Sequence, residues 1–303
     1  MCNASSSCAS CGIAEVDDIK LTECDNCDLV RYCSDECKAN HHPQHEEACK
    51  KRAAELRDEL LFKQPESTHL GDCPICCLPM DVDATYTTYI PKFCCSKMIC
   101  NGCNFANMMT EIQNAIDINT AHHTCPFCRE LMVFTQEGVE RQMMKRVELN
   151  DPVAILRMGK NQYGKGDYAR AFECCSKAAQ LGNVEAQAFL SGMYRFGEGV
   201  ERDEAKEIHY LEEAAMGGDP ESRYNIGAIE WRKGNTDRAV KHYTIAAAQG
   251  DDNAIKALMG AFKRGVVEKD VLTISLREHK AAVDATKSPQ REQAKNIEQK
   301  TKE

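Results

Sequence analysis

The sequence predicts a multi-domain chain in which two small cysteine-rich modules precede an all-α helical-repeat solenoid. Two observations lead to this class. Of the 19 cysteines in the 303 residues, 17 lie within the first 128. In the second half, a short alanine- and glycine-containing motif recurs 36 and then 32 residues apart. Small segments with few aliphatic residues rarely hold a core without disulfides or metal, whereas stacked repeats build a continuous core.

We expect zinc binding, and not disulfide bonding, to stabilise the cysteine-rich half. The chain shows no charged start followed by an apolar run, and no stretch apolar enough to span a membrane. We therefore expect no signal peptide and no membrane partner, and a cytoplasmic and/or nuclear location. In such reducing compartments, paired Cys-x-x-Cys spacing indicates metal binding. The formal net charge of −9 makes nucleic acid an unexpected partner.

The first array follows a start, residues 1–7, that is expected to be disordered. Its spacing is C-x2-C-x12-C-x2-C-x5-C-x3-C-x7-H-x3-C. The eight candidate ligands are Cys8, Cys11, Cys24, Cys27, Cys33, Cys37, His45 and Cys49. They fill two tetrahedral zinc sites with no ligand left over. Zinc binding contributes on the order of 10 kcal/mol to the folding of small fingers, which suits a segment so poor in core residues.

Residues 8–49 resemble the MYND zinc finger, because Tyr32 precedes Cys33 and a His and a Cys four apart close the array. That family interleaves its sites. The resemblance implies one zinc on Cys8, Cys11, Cys33 and Cys37, and another on Cys24, Cys27, His45 and Cys49. It also implies a short proline-containing peptide as partner, although His42 stands where the family often has Trp. The alternative is a purely structural double-zinc unit. Residues 50–71 are predicted to form a helical linker.

The second array occupies residues 72–135 and contains three clean Cys-x-x-Cys pairs and one adjacent pair. Its candidate ligands are Cys73, Cys76, Cys94, Cys95, Cys100, Cys103, Cys125 and Cys128. This layout resembles a RING domain, whose cross-brace binds two zincs. The resemblance implies one ion on Cys73, Cys76, Cys100 and Cys103. Cys125 and Cys128 would hold the other, with two ligands from the Cys94–Cys95 region, so that four zincs are expected in the chain.

The second RING-like site departs from the family pattern, because Lys97 stands where a ligating His is usual. A protonated ammonium cannot ligate zinc. The simplest solution is that Cys94 and Cys95 both bind. The other candidates are His122, His123 and Cys77. Either histidine would pair with Cys95, whereas Cys77 is interpreted as a small buried thiol.

Three residues that bind no metal carry the functional prediction. In RING ubiquitin ligases, the positions of Ile75, Pro126 and Arg129 contact the ubiquitin-conjugating enzyme or ubiquitin. Such a ligase needs no nucleophile of its own, because an Arg that fixes the thioester in a reactive geometry suffices. The resemblance therefore implies a RING-type ubiquitin ligase as the possible enzyme. The alternative is a non-catalytic interaction scaffold with structural zincs.

The repeat array is expected over residues 151–285, after a linker helix at residues 136–150. The motifs AAQLGN, AAMGGD and AAAQGD mark three units, each interpreted as two helices. Asp followed by Pro is interpreted as an N-cap with proline in the first helical turn, and a Gly ends each second helix. The units resemble Sel-1-like repeats, relatives of the tetratricopeptide repeat. The resemblance implies a solenoid that holds a protein substrate. Cys174 and Cys175 are interpreted as packing residues, and residues 286–303 as a disordered tail.

Overall fold

The structure, a computed structural model, describes residues 7–82, 89–114, 123–133 and 135–300. The chain divides into two compact units, Met1–Lys63 and Gln64–Glu303. None of the helices in the described ranges is both long enough and apolar enough to cross a membrane.

The first unit consists of a short hairpin followed by one long helix. Strands β1 (Thr22–Glu23) and β2 (Arg31–Tyr32) pair antiparallel, and helix α1 spans Asp35–Leu61. The Ser34 side chain caps α1 by accepting a hydrogen bond from the Cys37 amide. The sequence predicted a separate helical linker at residues 50–71, but the helix already begins at Asp35. The final candidate ligands of the first array and the linker therefore share one helix.

The second unit opens with the central module, built on a hairpin and a helix. Strand β3 (Tyr89–Lys92) pairs antiparallel with β4 (Lys97–Cys100), and α2 (Asn101–Asn114) follows at once. The small core of the module includes Met80 and Ile99, which are 2% and 0% exposed, beside buried cysteines. So few apolar side chains cannot fix the fold alone, which agrees with the expected dependence on metal.

The remainder of the second unit is helical, as predicted. The linker helix is α3 (Gln136–Glu148). The next eight helices are α4 (Pro152–Gly164), α5 (Tyr168–Gln180), α6 (Val184–Phe196), α7 (Glu204–Met216), α8 (Pro220–Arg232), α9 (Thr236–Ala248), α10 (Asp252–Lys263) and α11 (Lys269–Ala285). Helices α4 with α5, α6 with α7, and α8 with α9 form three successive packed pairs. The array is thus a solenoid of helix pairs with α11 packed at its end.

Capping residues set the start of each repeat. The Asp151 carboxylate accepts hydrogen bonds from the amides of Val153 and Ala154, at 3.0 and 3.3 Å. Asp219 caps α8 in the same way, and a proline occupies the first turn of both helices. These caps satisfy amides that have no partner inside the helix, which explains why Asp followed by Pro is a reliable start signal.

Glycines let the paired helices approach closely. A Cβ built on Gly159 would lie 2.8 Å from the Cys175 sulfur, and one built on Gly227 would lie 2.7 Å from Cε1 of Tyr243. Cys175 is fully buried, and burial raises the pKa of its thiol to about 12. A thiol in this state is inert, so its interpretation as a packing residue agrees with the structure.

The C-terminal segment differs from the prediction of a disordered tail. Residues Pro289–Lys300 form α12, which packs on α2 of the central module. The Ser288 hydroxyl accepts a hydrogen bond from the Arg291 amide at 3.3 Å, and Ala294 is only 4% exposed. The segment was predicted to be disordered because its sequence contains no stripe of aliphatic residues. The described contacts of this helix with the central module include buried Ala294 and hydrogen bonds of Arg291 and Glu298.

Adding a methyl group at Gly227 should destabilise the repeat array, although alanine is the better helix former by about 1 kcal/mol. Its Cβ would clash with the ring of Tyr243, which is 5% exposed and cannot move aside. We expect Gly227→Ala to lower the free energy of unfolding by about 1–3 kcal/mol. Urea unfolding followed by far-UV circular dichroism measures this change.

Gly260→Ala is the matched control, because a Cβ at that helical position would meet no atom within 4 Å beyond its own helix backbone and chain neighbours. It should raise the free energy of unfolding by up to about 1 kcal/mol. A stabilisation of similar size in both variants would contradict the close helix contact at Gly227.

Candidate metal centres

Sixteen side chains form four clusters in the described part of the chain. Within each cluster the candidate ligand atoms lie within 4.8 Å of one another. The clusters are Cys8, Cys11, Cys33 and Cys37; Cys24, Cys27, His45 and Cys49; Cys73, Cys76, Cys100 and Cys103; and Cys94, Cys95, Cys125 and Cys128. We call them site 1, site 2, site 3 and site 4. All sixteen were singled out from the sequence, and their grouping matches the interleaved pairing that the two resemblances implied.

The sulfur separations suit a shared metal ion. Zinc bonded to four sulfurs at about 2.3 Å sets the sulfurs about 3.8 Å apart at the corners of a tetrahedron. A disulfide would need about 2.05 Å. Observed separations are Cys11–Cys33 3.5 Å, Cys24–Cys49 3.7 Å, Cys76–Cys100 3.8 Å and Cys95–Cys125 3.7 Å. All 18 cysteines in the described ranges are free thiols. The residues therefore fit zinc.

Site 2 includes the one histidine among the sixteen clustered side chains. His45 is buried, and its Nε2 lies 3.2 Å from the Cys27 sulfur. Burial lowers the pKa of His45, which favours the neutral imidazole that a metal requires. His41 stacks on His45 at 5.7 Å between ring centroids, and its Nδ1 lies 3.1 Å from the hydroxyl of buried Tyr32. His41 thus supports the ring of His45 from the side, whereas His42 is exposed.

A tight backbone turn presents the first two cysteines of site 3. The Cys73 amide donates to the Leu78 carbonyl at 2.9 Å, and the Cys77 amide donates to the Cys73 carbonyl at 2.8 Å. This turn places Cys77 at a φ of +53°. Its thiol is exposed and lies outside the four clusters, so the expectation of a buried thiol was wrong. The left-handed backbone turns the side chain of this residue away from the metal position.

The same turn occurs at two further cysteine pairs. At Cys125, the Arg129 amide donates to the Cys125 carbonyl at 3.0 Å, and Arg129 has a φ of +62°. At Cys8, the corresponding residue is Gly12, with a φ of +76°. Glycine is the residue that this left-handed position accepts without strain. The backbone of the turn therefore does not require an arginine at residue 129.

The hairpin of the central module separates sites 3 and 4. Cys94 and Cys95 lie in the turn between β3 and β4, and Cys100 ends β4. A strand advances about 3.3 Å per residue, so β4 alone holds its two ends about 10 Å apart. Cysteine pairs one and three thus meet at one end of β4, and pairs two and four meet at the other. This is the interleaved arrangement of a cross-brace.

Site 4 brings together both adjacent cysteines. Cys94 lies 3.4 Å from the Cys128 sulfur. The rival candidate His123 instead has its Nδ1 2.9 Å from the Glu111 carboxylate. Lys97 is exposed, and His122 lies outside the described residues. The geometry at site 4 thus favours four cysteines over a cysteine–histidine set.

Sequence reasoning missed a buried cation beside site 4. Lys92 is 4% exposed, and its ammonium donates to the Asn104 side-chain oxygen at 2.5 Å and to the Met132 sulfur at 3.2 Å. Burial lowers the pKa of Lys92, while the nearby thiolates of Cys125 and Cys94 oppose that shift. Lysine two residues before a cysteine pair carries no recognised motif, so only the fold reveals its burial.

The three residues proposed to contact a conjugating enzyme occupy the turns of sites 3 and 4. Ile75 is 44% exposed although it is a large apolar side chain. Pro126 is half-buried and Arg129 is exposed. The module therefore leaves all three accessible, at least in part.

Comparison with known families matches two parts of the chain. The MYND finger matches residues 8–49. The Sel1 repeat matches residues 152–183, 184–219 and 222–251. Two curated relatives, both called DAP3-binding cell death enhancer 1, share shorter stretches. The mouse (Mus musculus) protein is 39% identical over 98 residues, 31% of this chain and 19% of that protein. The rat (Rattus norvegicus) protein is 35% identical over 113 residues, 36% and 22% respectively. The chain thus spans about a fifth of their length.

Similar solved structures are Sel1-type proteins and one immunity protein. A Sel1 repeat protein from Oxalobacter formigenes is 25% identical with a TM-score of 0.43, over 49% of this chain and 65% of that one. A protective antigen with an SLR fold from uropathogenic Escherichia coli is 26% identical with a TM-score of 0.40, over 48% and 33%. An immunity protein from Pseudomonas aeruginosa is 20% identical with a TM-score of 0.39, over 51% and 64%. This chain is a zinc-binding protein that carries a MYND finger followed by a Sel1 repeat solenoid.

Proposed function

We propose that the protein binds four zinc ions and acts as a RING-type ubiquitin ligase through residues 72–135. The central module would recruit a ubiquitin-conjugating enzyme, and the repeats or the MYND finger would bind a protein substrate. The proposal is supported by the interleaving of sites 3 and 4, which resembles the cross-brace of RING domains. Zinc thiolates need a reducing environment, so we place this function in the cytoplasm and/or nucleus.

The accessible residues of the two cysteine turns support a docking surface. Burial of an apolar side chain of the size of Ile75 is energetically favourable, yet this residue is 44% exposed to solvent. Each cysteine turn is held by backbone hydrogen bonds and by its metal, so its outward side chains are free for recognition. Ile75 and Pro126 would form the apolar contact with the conjugating enzyme.

Arg129 supports the transfer step. It occupies a left-handed position at which the matching turn of the MYND finger carries Gly12. A non-glycine residue there costs on the order of 1 kcal/mol, which points to a functional role for its side chain. A guanidinium can donate to two carbonyl groups at once. Arg129 would hold the conjugated ubiquitin against its enzyme and so keep the thioester in a reactive geometry.

Part of the repeat surface is covered by the chain itself, which limits where a substrate would bind. The Gly218 carbonyl accepts hydrogen bonds from the His69 amide at 3.0 Å and from the Gln249 side chain at 3.2 Å. Val153 and Ala154 at the start of the array line a small cavity together with Pro91 and Phe93 of the central module. A protein substrate would therefore use the parts of the solenoid outside these contacts.

The same contacts favour a second candidate function, an interaction scaffold without enzymatic activity. Helix α12 packs on α2 of the central module, and Pro91 and Phe93 of the module line a cavity with Val153 of the first repeat. The Ser67–His69 segment that leads into the module lies against Gly218 of the repeats. A module fixed on several sides can serve as a structural joint for the solenoid. In a scaffold, the zinc ions would only maintain the folded shape. The two functions are distinguished by Ile75, which only the ligase needs for binding a conjugating enzyme.

Zinc counting tests the assignment of sites 3 and 4. Native mass spectrometry should find four zincs in the wild type. Cys94→Ser and Cys95→Ser should each reduce the count to three, because a three-sulfur site with a weak hydroxyl ligand releases its ion readily. Cys77→Ser is the matched control and should retain four.

Two outcomes would contradict this assignment. A Cys94→Ser protein with four zincs would place another ligand in site 4. Loss of zinc in His123→Gln would point to the histidine, which the structure instead pairs with Glu111.

Autoubiquitylation with a panel of conjugating enzymes tests the ligase. Ile75→Ala should reduce activity at least tenfold while four zincs remain bound, because an apolar contact worth about 1.4 kcal/mol or more is removed. Arg129→Gly should also reduce transfer without strain in the turn, because glycine suits its backbone. Leu149→Ala is the control, since Leu149 is 69% exposed and lies outside the module.

Inactivity of the wild type with every conjugating enzyme would contradict the ligase function and favour the scaffold. Pull-downs of protein partners would then survive Ile75→Ala and Arg129→Gly. Zinc removal by a chelator should abolish them in that case, because the cysteine-rich modules would lose their shape.

A further inference from the structure

Arg291 of helix α12 reaches the outer side of site 3. One guanidinium nitrogen donates to the Pro79 carbonyl at 2.6 Å and to the Thr286 carbonyl at 2.7 Å. The other donates to the Leu78 carbonyl at 3.1 Å and to the Cys76 sulfur at 3.4 Å. The side chain thus ties the cysteine turn of site 3 to the start of α12. Its contact with Cys76 spans 215 positions of the sequence.

The backbone of α12 fits closely against α2 at the same place. A Cβ built on Gly102 would lie 2.6 Å from the Arg291 amide nitrogen and 2.8 Å from its Cα. Further along, the Asn101 side chain donates to the Glu298 carboxylate at 3.4 Å. Ala294 is buried between these contacts at 4% exposure. Only a glycine at residue 102 allows this approach, so α12 is docked by shape as well as by hydrogen bonds.

The chemistry of site 3 explains why a cation lies there. Four thiolates around one Zn²⁺ carry a net charge of −2, and site 3 is largely removed from water, with Cys73 and Cys100 buried. Uncompensated charge in such surroundings is costly. A guanidinium remains charged at all ordinary pH values and forms charge-assisted hydrogen bonds with anionic acceptors. Arg291 therefore supplies both charge and a hydrogen bond to a zinc-bound sulfur.

Site 4 has a cation of its own, but a local one. Lys92 is buried two residues before Cys94, on the strand that leads into the site. Arg291 thus accompanies site 3 and Lys92 accompanies site 4. The difference lies in their origin, because the cation of site 3 comes from the far end of the chain.

We propose that Arg291 is an outer partner of the zinc in site 3, so that zinc binding and docking of α12 stabilise each other. This inference rests on the zinc occupancy proposed above. By thermodynamic linkage, if docked α12 strengthens zinc binding by a given free energy, zinc binding strengthens the docking of α12 by the same free energy. Helix α12 is then a zinc-dependent part of the central module, and not an independent tail.

Chelator competition on the full-length protein tests the first half of the linkage. Native mass spectrometry counts the ions that remain at each chelator concentration. Arg291→Met keeps the apolar stem but removes the charge and the donors. We expect one of the four zincs to be lost at about 10- to 100-fold lower chelator concentration, as for other partners of metal ligands. Arg291→Lys should recover part of this loss.

Gly102→Ala tests docking with Arg291 still present. Alanine favours the α2 helix more than glycine does, so the substitution does not weaken α2 itself. Its Cβ should displace α12 and loosen the same zinc. Lys300→Met is the matched control, since it removes an exposed cation of the same helix and should leave zinc retention unchanged.

Hydrogen exchange tests the reciprocal half. Amides of residues 292–300 should exchange at least tenfold faster in zinc-free protein, in Arg291→Met and in Gly102→Ala than in zinc-loaded wild type. Wild-type zinc retention and unchanged α12 protection in Arg291→Met would overturn the inference while leaving the zinc sites intact. A wild-type protein that binds only two zincs, both in the MYND finger, would overturn the inference together with the proposed central sites.

Discussion

The first half of the chain is organised by the close approach of cysteine sulfurs, which gather with one histidine into four candidate metal clusters. Its apolar core is too small to hold the backbone, so bonds to zinc at these clusters would supply the stability. Zinc would leave each four-cysteine site with a formal charge of −2. Site 2 reduces it with His45. Sites 3 and 4 are accompanied by Arg291 and Lys92. Side chains that bind no metal thus become part of the metal centres.

The second half is stabilised by close packing of helices. Small residues such as Gly159 and Gly227 allow paired helices to approach, and aspartate caps fix where each helix begins. The two modes of stabilisation meet within the second unit. The His69 amide binds a repeat carbonyl, and Arg291 returns from beyond the repeats to the cysteine turn. The central module and the solenoid are therefore joined at several points.

The candidate metal ligands could be predicted from the spacing of the cysteines, because ligands of a tetrahedral site often lie at short intervals in the sequence. The helical repeats could be predicted equally well from the period of their sequence motif. The missed features depend on contacts distant in sequence. Lys92 looks like an ordinary strand residue, and α12 lacks an aliphatic stripe. Ser288 followed by Pro289 was an available signal, since it combines a capping residue with proline at the first helical position. Cys77 was misjudged because backbone conformation, not residue type, decides where its thiol points.

The distance in sequence between Cys76 and Arg291 has a consequence for biosynthesis. The chain emerges from the ribosome from its N-terminus, so all ligands of site 3 are made long before the arginine, 215 positions after Cys76. A nascent chain would therefore be able to bind zinc at site 3 early. By contrast, the hydrogen bonds of Arg291 around that site can form only after the repeats have been synthesised.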